Sequence, residues 1–170
     1  VRMEIQVSYY TDKGTIKQIN QDSLSIKIAN SLHGTVAFAV VCDGMGGLAY
    51  GELASKEVVL TFDEWFATEL PDVVVKDKIS EIAIFEQWQE RIDRINEKMQ
   101  GFADAHKVMM GTTLSALLVY QNRYYICHVG DSRIYRIQSG IEQMTEDQTL
   151  VAQEVKMGIL TKEEAATDPR

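Results

Sequence analysis

Apolar and polar positions fall into three regimes along the chain. Near the N-terminus, Ile5, Val7 and Tyr9 alternate with Glu4, Gln6 and Ser8, the two-residue period of a half-buried strand. Leu24, Ile26 and Ile28 alternate with Ser23, Ser25 and Lys27 in the same way. Val36 to Cys42 is apolar at every position, which predicts a central strand covered on both faces, and it stops at Asp43–Gly44–Met45–Gly46–Gly47. The period then changes. Ala54, Val58, Phe62, Phe66 and Leu70 recur at helical spacing until Pro71 ends the run. Ile82, Phe85, Trp88, Ile92, Ile95, Met99 and Phe102 step by threes and fours, with Glu86, Glu90, Arg91, Arg94 and Lys98 on the other face. Both segments are expected as core-packing helices.

From Gly111 the strand signal returns. Leu114–Tyr120, Arg123–Val129 and Ser132–Gln138 are joined by Gln121–Asn122 and Gly130–Asp131, which suit hairpin turns, and Gly140 marks another turn before Ile141–Met144. From Glu146 to Arg170 two short helices are expected. Gly158 suits the end of the first, and Thr161 with Glu164 forms a capping box for the second. Strands, then helices, then antiparallel strands predict an α+β or layered α/β architecture with helices over antiparallel sheets. Residues 1–170 read as one domain, without a linker, an internal repeat or a low-complexity stretch.

Composition narrows the function. With 17 basic against 25 acidic side chains and a formal charge of -8, the chain is a poor sequence-independent nucleic-acid binder. Val36–Cys42, the longest apolar run, is too short to span a bilayer, and Val1–Arg2–Met3–Glu4 opens no signal-peptide core. Two cysteines within apolar runs make no disulfide framework, so a reducing, cytoplasmic setting is expected.

Candidate chemistry lies at the strand ends. Asp43 closes the buried strand before a run of glycines, Asp22 opens its strand after Asn20–Gln21, and Asp131 sits in a turn. Carboxylates and turn carbonyls are the hard oxygen donors that Mg²⁺ or Mn²⁺ takes. Asp and Gly are also ordinary turn residues; Asp43 stands out because an unpaired carboxylate directly after an all-apolar strand is costly. A rival is Cys127-x-x-Gly130-x-x-Arg133, the spacing of a cysteine-dependent phosphatase loop. That chemistry requires a low-pKa thiolate and a helix N-terminus behind the loop. Here Ile134–Ile137 reads as strand and Asp131 would repel a phosphate, so Cys127 is expected to be a packed apolar residue. His33, His106 and His128 are isolated, and zinc is not indicated.

Five blocks then line up in order: Gly14-x-x-Lys17-x-x-Asn20–Gln21–Asp22; Val40–Val41–Cys42–Asp43–Gly44–Met45–Gly46–Gly47 with Gly51–Glu52-x-Ala54–Ser55; Met110–Gly111–Thr112–Thr113–Leu114–Ser115–Ala116; His128–Val129–Gly130–Asp131–Ser132–Arg133-x-Tyr135; and Thr145-x-Asp147. Together they resemble the PPM family of metal-dependent Ser/Thr protein phosphatases (type 2C), bacterial branch. The resemblance implies a layered α-β-β-α fold, with two antiparallel β-sheets in a sandwich flanked by helices. It also implies two Mn²⁺ or Mg²⁺ ions and a third, weaker position. Carried over, Asp43 bridges the two ions, Asp22 and the Gly44 carbonyl complete the protein ligands available here, Asp131 helps to hold the third, and Lys17 faces the phosphate. The implied reaction is hydrolysis of phosphoserine and phosphothreonine on proteins by a metal-activated water. The implied partners are phosphoproteins made by a Ser/Thr kinase, with neither nucleic acid nor membrane involved.

Departures from the family pattern are specific. Lys17 stands where Arg is common and supplies a point charge in place of a fork; Gln21 replaces a Glu; Gln148 replaces a His. The family's C-terminal Asp-bearing blocks do not follow Asp168–Pro169–Arg170, so a shortened domain with weak metal retention is expected, and open sheet edges that invite dimerisation. Lys17 and Gln21 also leave open a catalytically weak member acting as a phosphoprotein-binding regulatory module.

Overall fold

In the computed structural model, which describes residues 4–45, 50–75 and 79–168, strands β1 (Asp22–Ser31) and β2 (Gly34–Asp43) pair antiparallel, with Asp22 opposite Asp43 and Ser31 opposite Gly34. Helices α1 (Gly51–Thr68), α2 (Leu70–Val74) and α3 (Glu81–His106) follow. Strands β3 (Leu114–Tyr120) and β4 (Arg123–Val129) complete an antiparallel sheet ordered β1-β2-β3-β4. A second, two-stranded antiparallel sheet joins β5 (Tyr135–Ile137) to β6 (Ile141–Gln143), and α4 (Leu150–Lys156) and α5 (Lys162–Ala165) come last. Two antiparallel sheets with helices are thus the observed architecture, as expected. Gly46, Gly47, Pro169, Arg170 and Val1–Met3 lie outside the described residues. Among the described residues no helix is long and apolar enough to cross a membrane.

The core forms where one face of the sheet meets α1 and α3. Val36, Phe38, Val40 and Cys42 of β2 and Leu114, Ala116, Leu118 and Tyr120 of β3 are each at most 5% exposed. Val58, Phe62 and Trp65 from α1 and Ile84 and Trp88 from α3 pack against them. The Phe38 ring lies 6.2 Å from Phe62, 5.5 Å from Trp65 and 6.2 Å from Trp88, so one strand residue gathers both helices. Burial of each such side chain contributes roughly 1.5–3 kcal/mol.

Several expectations change on contact with the fold. Residues 4–10 form no strand, and Val7, Tyr9 and Tyr10 are exposed; alternation supplies an apolar face, but a strand also requires a hydrogen-bonding neighbour. Pro71 lies in the first turn of α2 instead of merely ending α1, because its missing N–H is tolerated there. Arg91, expected on the polar face of α3, is buried and pairs with Glu69 at the α1–α2 junction. Gly130–Asp131 does not close a hairpin onto β4: β5 is only three residues long and pairs with β6. Gln121 and Asn122, both at positive φ, do turn β3 into β4, and the Thr161–Glu164 capping box is present.

β1 departs from simple amphipathic logic, and this positions the site. Ser23, Ser25 and Lys27 pair with the core-facing residues of β2, so the polar face of β1 lies beneath α1. Ser23 Oγ is 2.9 Å from Ser55 Oγ, and Lys27 Nζ is 3.1 Å from Asp63 Oδ2. Leu24, Ile26 and Ile28 therefore sit on the opposite face, with Asp22 at the end of their row. β2 is sealed on the helix side, but Val41 remains 45% exposed on the other, so cover on both faces is incomplete. Farther along that outer face, Leu117, Val119, Tyr124 and Ile126 border a cavity of about 380 Å³ closed by Ile134 and Met144 beside the second sheet.

Candidate metal centre

Asp22 is the first residue of β1 and Asp43 the last of β2, and the register sets them directly opposite each other. Opposed residues of an antiparallel pair carry their Cβ atoms about 4.5–5.5 Å apart on one face, where like charges are destabilising. The Asp43 carboxyl shows the effect. Partial burial raises its pKa above the usual carboxylate range, the Asp22 charge and a hydrogen bond with that carboxyl push the same way, and Lys17 pulls it back. Two of the expected ligands and the expected phosphate-facing lysine are thus brought together.

Gly44 is locked in place by its surroundings. A Cβ built there would stand 2.3 Å from Gly51 O and 2.5 Å from Gln21 O, so no other residue fits. Its N–H donates to Gln21 O over 3.1 Å, and it bridges to Thr112 on the other side. Ser55 Oγ, buried at the start of α1, donates to the same Gln21 carbonyl over 2.6 Å and anchors the residue before Asp22. Asn20 Oδ1 accepts the Asp22 N–H at 3.1 Å. Asp43 is held by the two residues just before β3: Thr113 N donates to Asp43 O at 3.0 Å, Thr112 Oγ1 donates to that oxygen at 3.1 Å, and Asp43 N donates to Thr113 Oγ1 at 2.9 Å. Ser55 and Thr113 stand in the sequence blocks without an assigned role. Their partners depend on strand register and helix docking, which no local sequence pattern encodes.

Lys17 lies on the loop before β1, beside a cavity of about 300 Å³ that runs from Asp12 to Asp22. Asp12 Oδ1 accepts the N–H of Gly14 at 2.7 Å, and Gly14 sits at φ +72°, a turn that brings Lys17 back toward the strand end. Gln21 Nε2 reaches Glu52 Oε2 at 3.4 Å. Asp131 follows β4 in a turn whose Ser132 Oγ is 2.9 Å from Thr113 Oγ1. The same turn is braced by Gln148, whose N–H donates to Gly130 O at 2.7 Å, and Arg133 forks onto Asp147 at 2.9 and 2.6 Å. Asp131 does not join Asp22 and Asp43 in one cluster: among the described residues no group of three or more His, Cys, Asp or Glu side chains is placed to hold a metal.

The cysteine route finds no support in this geometry. Burial pushes the Cys127 thiol up to about 11 and Cys42 up to about 12, the reverse of what a nucleophilic thiolate requires. Strand β5, not a helix N-terminus, follows the Cys127 loop.

What the described residues do offer suits a hard divalent cation. Two carboxylates face one another with a backbone carbonyl nearby, and their mutual repulsion is relieved by positive charge between them. Mg²⁺-like ions retain several waters and take only one or two carboxylates from a protein, so this donor set fits such an ion.

Comparison with known proteins points in the same direction. The family pattern described as Protein phosphatase 2C matches residues 15–168. A serine/threonine phosphatase of Listeria innocua is 32% identical over 171 residues, covering 98% of this chain and 64% of the relative. The crystal structure of a serine/threonine phosphatase from Staphylococcus aureus superposes with a TM-score of 0.75 at 33% identity, over 99% of this chain and 64% of that one. The catalytic domain of the phosphatase PstP, solved in complex with two manganese ions, superposes with a TM-score of 0.68 at 29% identity, over 92% of this chain and 61% of its own. The chain therefore spans less than two thirds of the length of the relatives it matches.

Proposed function

This chain belongs to the protein phosphatase 2C family, and from that membership we propose that it hydrolyses phosphoserine and phosphothreonine on proteins with the help of two Mn²⁺ or Mg²⁺ ions. The observation that carries the reading is the opposition of Asp22 and Asp43 across the end of β1 and β2. Asp43 would bridge the ions, and Asp22 and the Gly44 carbonyl would complete the oxygen donors. Bound divalent ions supply an acidified water and neutralise phosphoryl charge. The chain's own residues do the positioning. Lys17, close enough to Asp43 to lower its pKa, offers a point charge to the phosphate and lacks the two-pronged grip of an arginine. Asp131, at the turn two hydrogen bonds from the Asp43 backbone, is read as part of the third and weaker position.

The substrates are the products of protein Ser/Thr kinases, the reaction class that makes these esters. Free cysteines, one buried and one partly so, support a cytoplasmic setting. We read residues 1–170 as belonging to one phosphatase domain. Among the described residues, the outer strands β1 and β4 carry ladder groups without a strand neighbour, which supports self-association of the 170-residue chain. The reaction is tested by phosphate release from a phosphothreonine peptide with Mn²⁺. Asp43→Asn is expected to lower turnover by about a hundredfold or more, as loss of a charge-stabilising group does, while Cys127→Ser retains it. Loss with Cys127→Ser and retention with Asp43→Asn would overturn the reading.

A further inference from the structure

We infer that Thr113 is a positioning residue for the metal centre, its hydroxyl joining the backbone of Asp43 to Ser132 in the turn that carries Asp131. Thr113 is buried, and both branches of its side chain are occupied. Oγ1 accepts the Asp43 N–H at 2.9 Å and lies 2.9 Å from Ser132 Oγ. Cγ2 faces Gly130, where an added Cβ would approach to 2.7 Å. The methyl group therefore seats the turn while the hydroxyl holds the strand. Thr113 N also donates to Asp43 O at 3.0 Å, so this one residue grips both sides of the Asp43 backbone.

Such a grip has a physical purpose at this position. Asp43 ends its strand, and the like charge of Asp22 directly opposite drives the two strand ends apart. A partner on the far side of β2 resists that splay and fixes where the Asp43 carboxylate points. The link to Ser132 makes the Asp131 turn and the Asp43 strand end move together, so an ion held at one is felt at the other. Partners that orient a ligand from outside the coordination sphere commonly change metal affinity by about 10–100-fold.

The inference rests on the reading of Asp22 and Asp43 as ion-holding residues, and the test separates the two. Mn²⁺ is titrated calorimetrically into the wild-type chain, Asp43→Asn, Thr113→Val, Thr113→Ser and Ser132→Ala, and each is melted in chelator. Thr113→Val is expected to weaken Mn²⁺ binding about tenfold, with Thr113→Ser restoring it to within about twofold, the error range of such comparisons. Ser132→Ala, which spares the Asp43 contact, is expected to cost about threefold, one neutral hydrogen bond. It should combine non-additively with Thr113→Val, as members of one network do. Wild-type affinity in Thr113→Val, or equal weakness in Thr113→Ser, would overturn the role of Thr113 while Asp43→Asn still lost the ion. Undiminished binding by Asp43→Asn would instead overturn the ion reading, and this inference with it. Ser132→Ala keeps the test decisive should Thr113→Val fail to fold.

Discussion

Among the described glycines, Gly44 has the least room for a side chain. Its φ is not left-handed; glycine is required by backbone crowding, since Gly51 O and Gln21 O occupy the space a Cβ would take. Both crowding atoms are main-chain oxygens and cannot swing aside. Gly44→Ala is expected to destabilise the fold by about 1–3 kcal/mol, the usual range for overpacking, and to displace Asp43 as it does so. A urea melt of the purified variant checks this, with a midpoint equal to wild type as the contrary result. Asp22 and Asp43 stand out in the sequence because one opens an alternating strand and the other closes an all-apolar one. Thr113 and Ser55 were not, because the carbonyl or amide that a hydroxyl meets depends on register and docking, which no local pattern encodes.

Elements whose neighbours lie close in sequence were read well. β3 and β4 form a hairpin across Gln121–Asn122, where apolar runs and turn residues suffice, and β1 and β2 are legible as strands although no turn signal joins them. Where a partner is distant, the reading failed. Residues 4–10 alternate like a strand yet have no ladder among the described residues, and β1 turns its serines inward because α1 offers Ser55 and Asp63 to meet them. The burial of Arg91 has the same origin: Glu69 waits for it where α1 gives way to α2. Buried on α3, Arg91 has its Nε without a hydrogen-bond partner among the described residues and its terminal nitrogen on Glu69. Removing Glu69 leaves a buried guanidinium unpaired, whereas removing Arg91 leaves the partly exposed Glu69 carboxylate to water. Glu69→Ala is therefore expected to destabilise by about 1–3 kcal/mol, discounted because Glu69 is partly exposed, whereas Arg91→Met is close to neutral. Chemical denaturation of both variants decides the order, and a larger loss with Arg91→Met would contradict it.

Across the whole molecule, one sheet face is sealed by helices and the other carries the carboxylate pair at the end of an apolar, partly covered row. Val41 and Ile28 are exposed on that face, and among the described residues β1 and β4 have no strand along their outer edges. Light scattering of the 170-residue chain is expected to show concentration-dependent dimers, and a monomer at every concentration would remove the self-association proposal. The central claim, that Asp22 and Asp43 converge to hold a divalent cation, makes a prediction with opposite signs in two conditions. In chelator, Asp43→Asn relieves like-charge repulsion and should raise the melting temperature slightly, corresponding to about 0.2–1 kcal/mol. In excess Mn²⁺, wild type should gain stability by mass action and overtake the variant. Thermal melting of the two proteins with and without Mn²⁺ is the most direct measurement: a crossing of the two orders is the predicted result, and an equal Mn²⁺ shift in wild type and Asp43→Asn would contradict it.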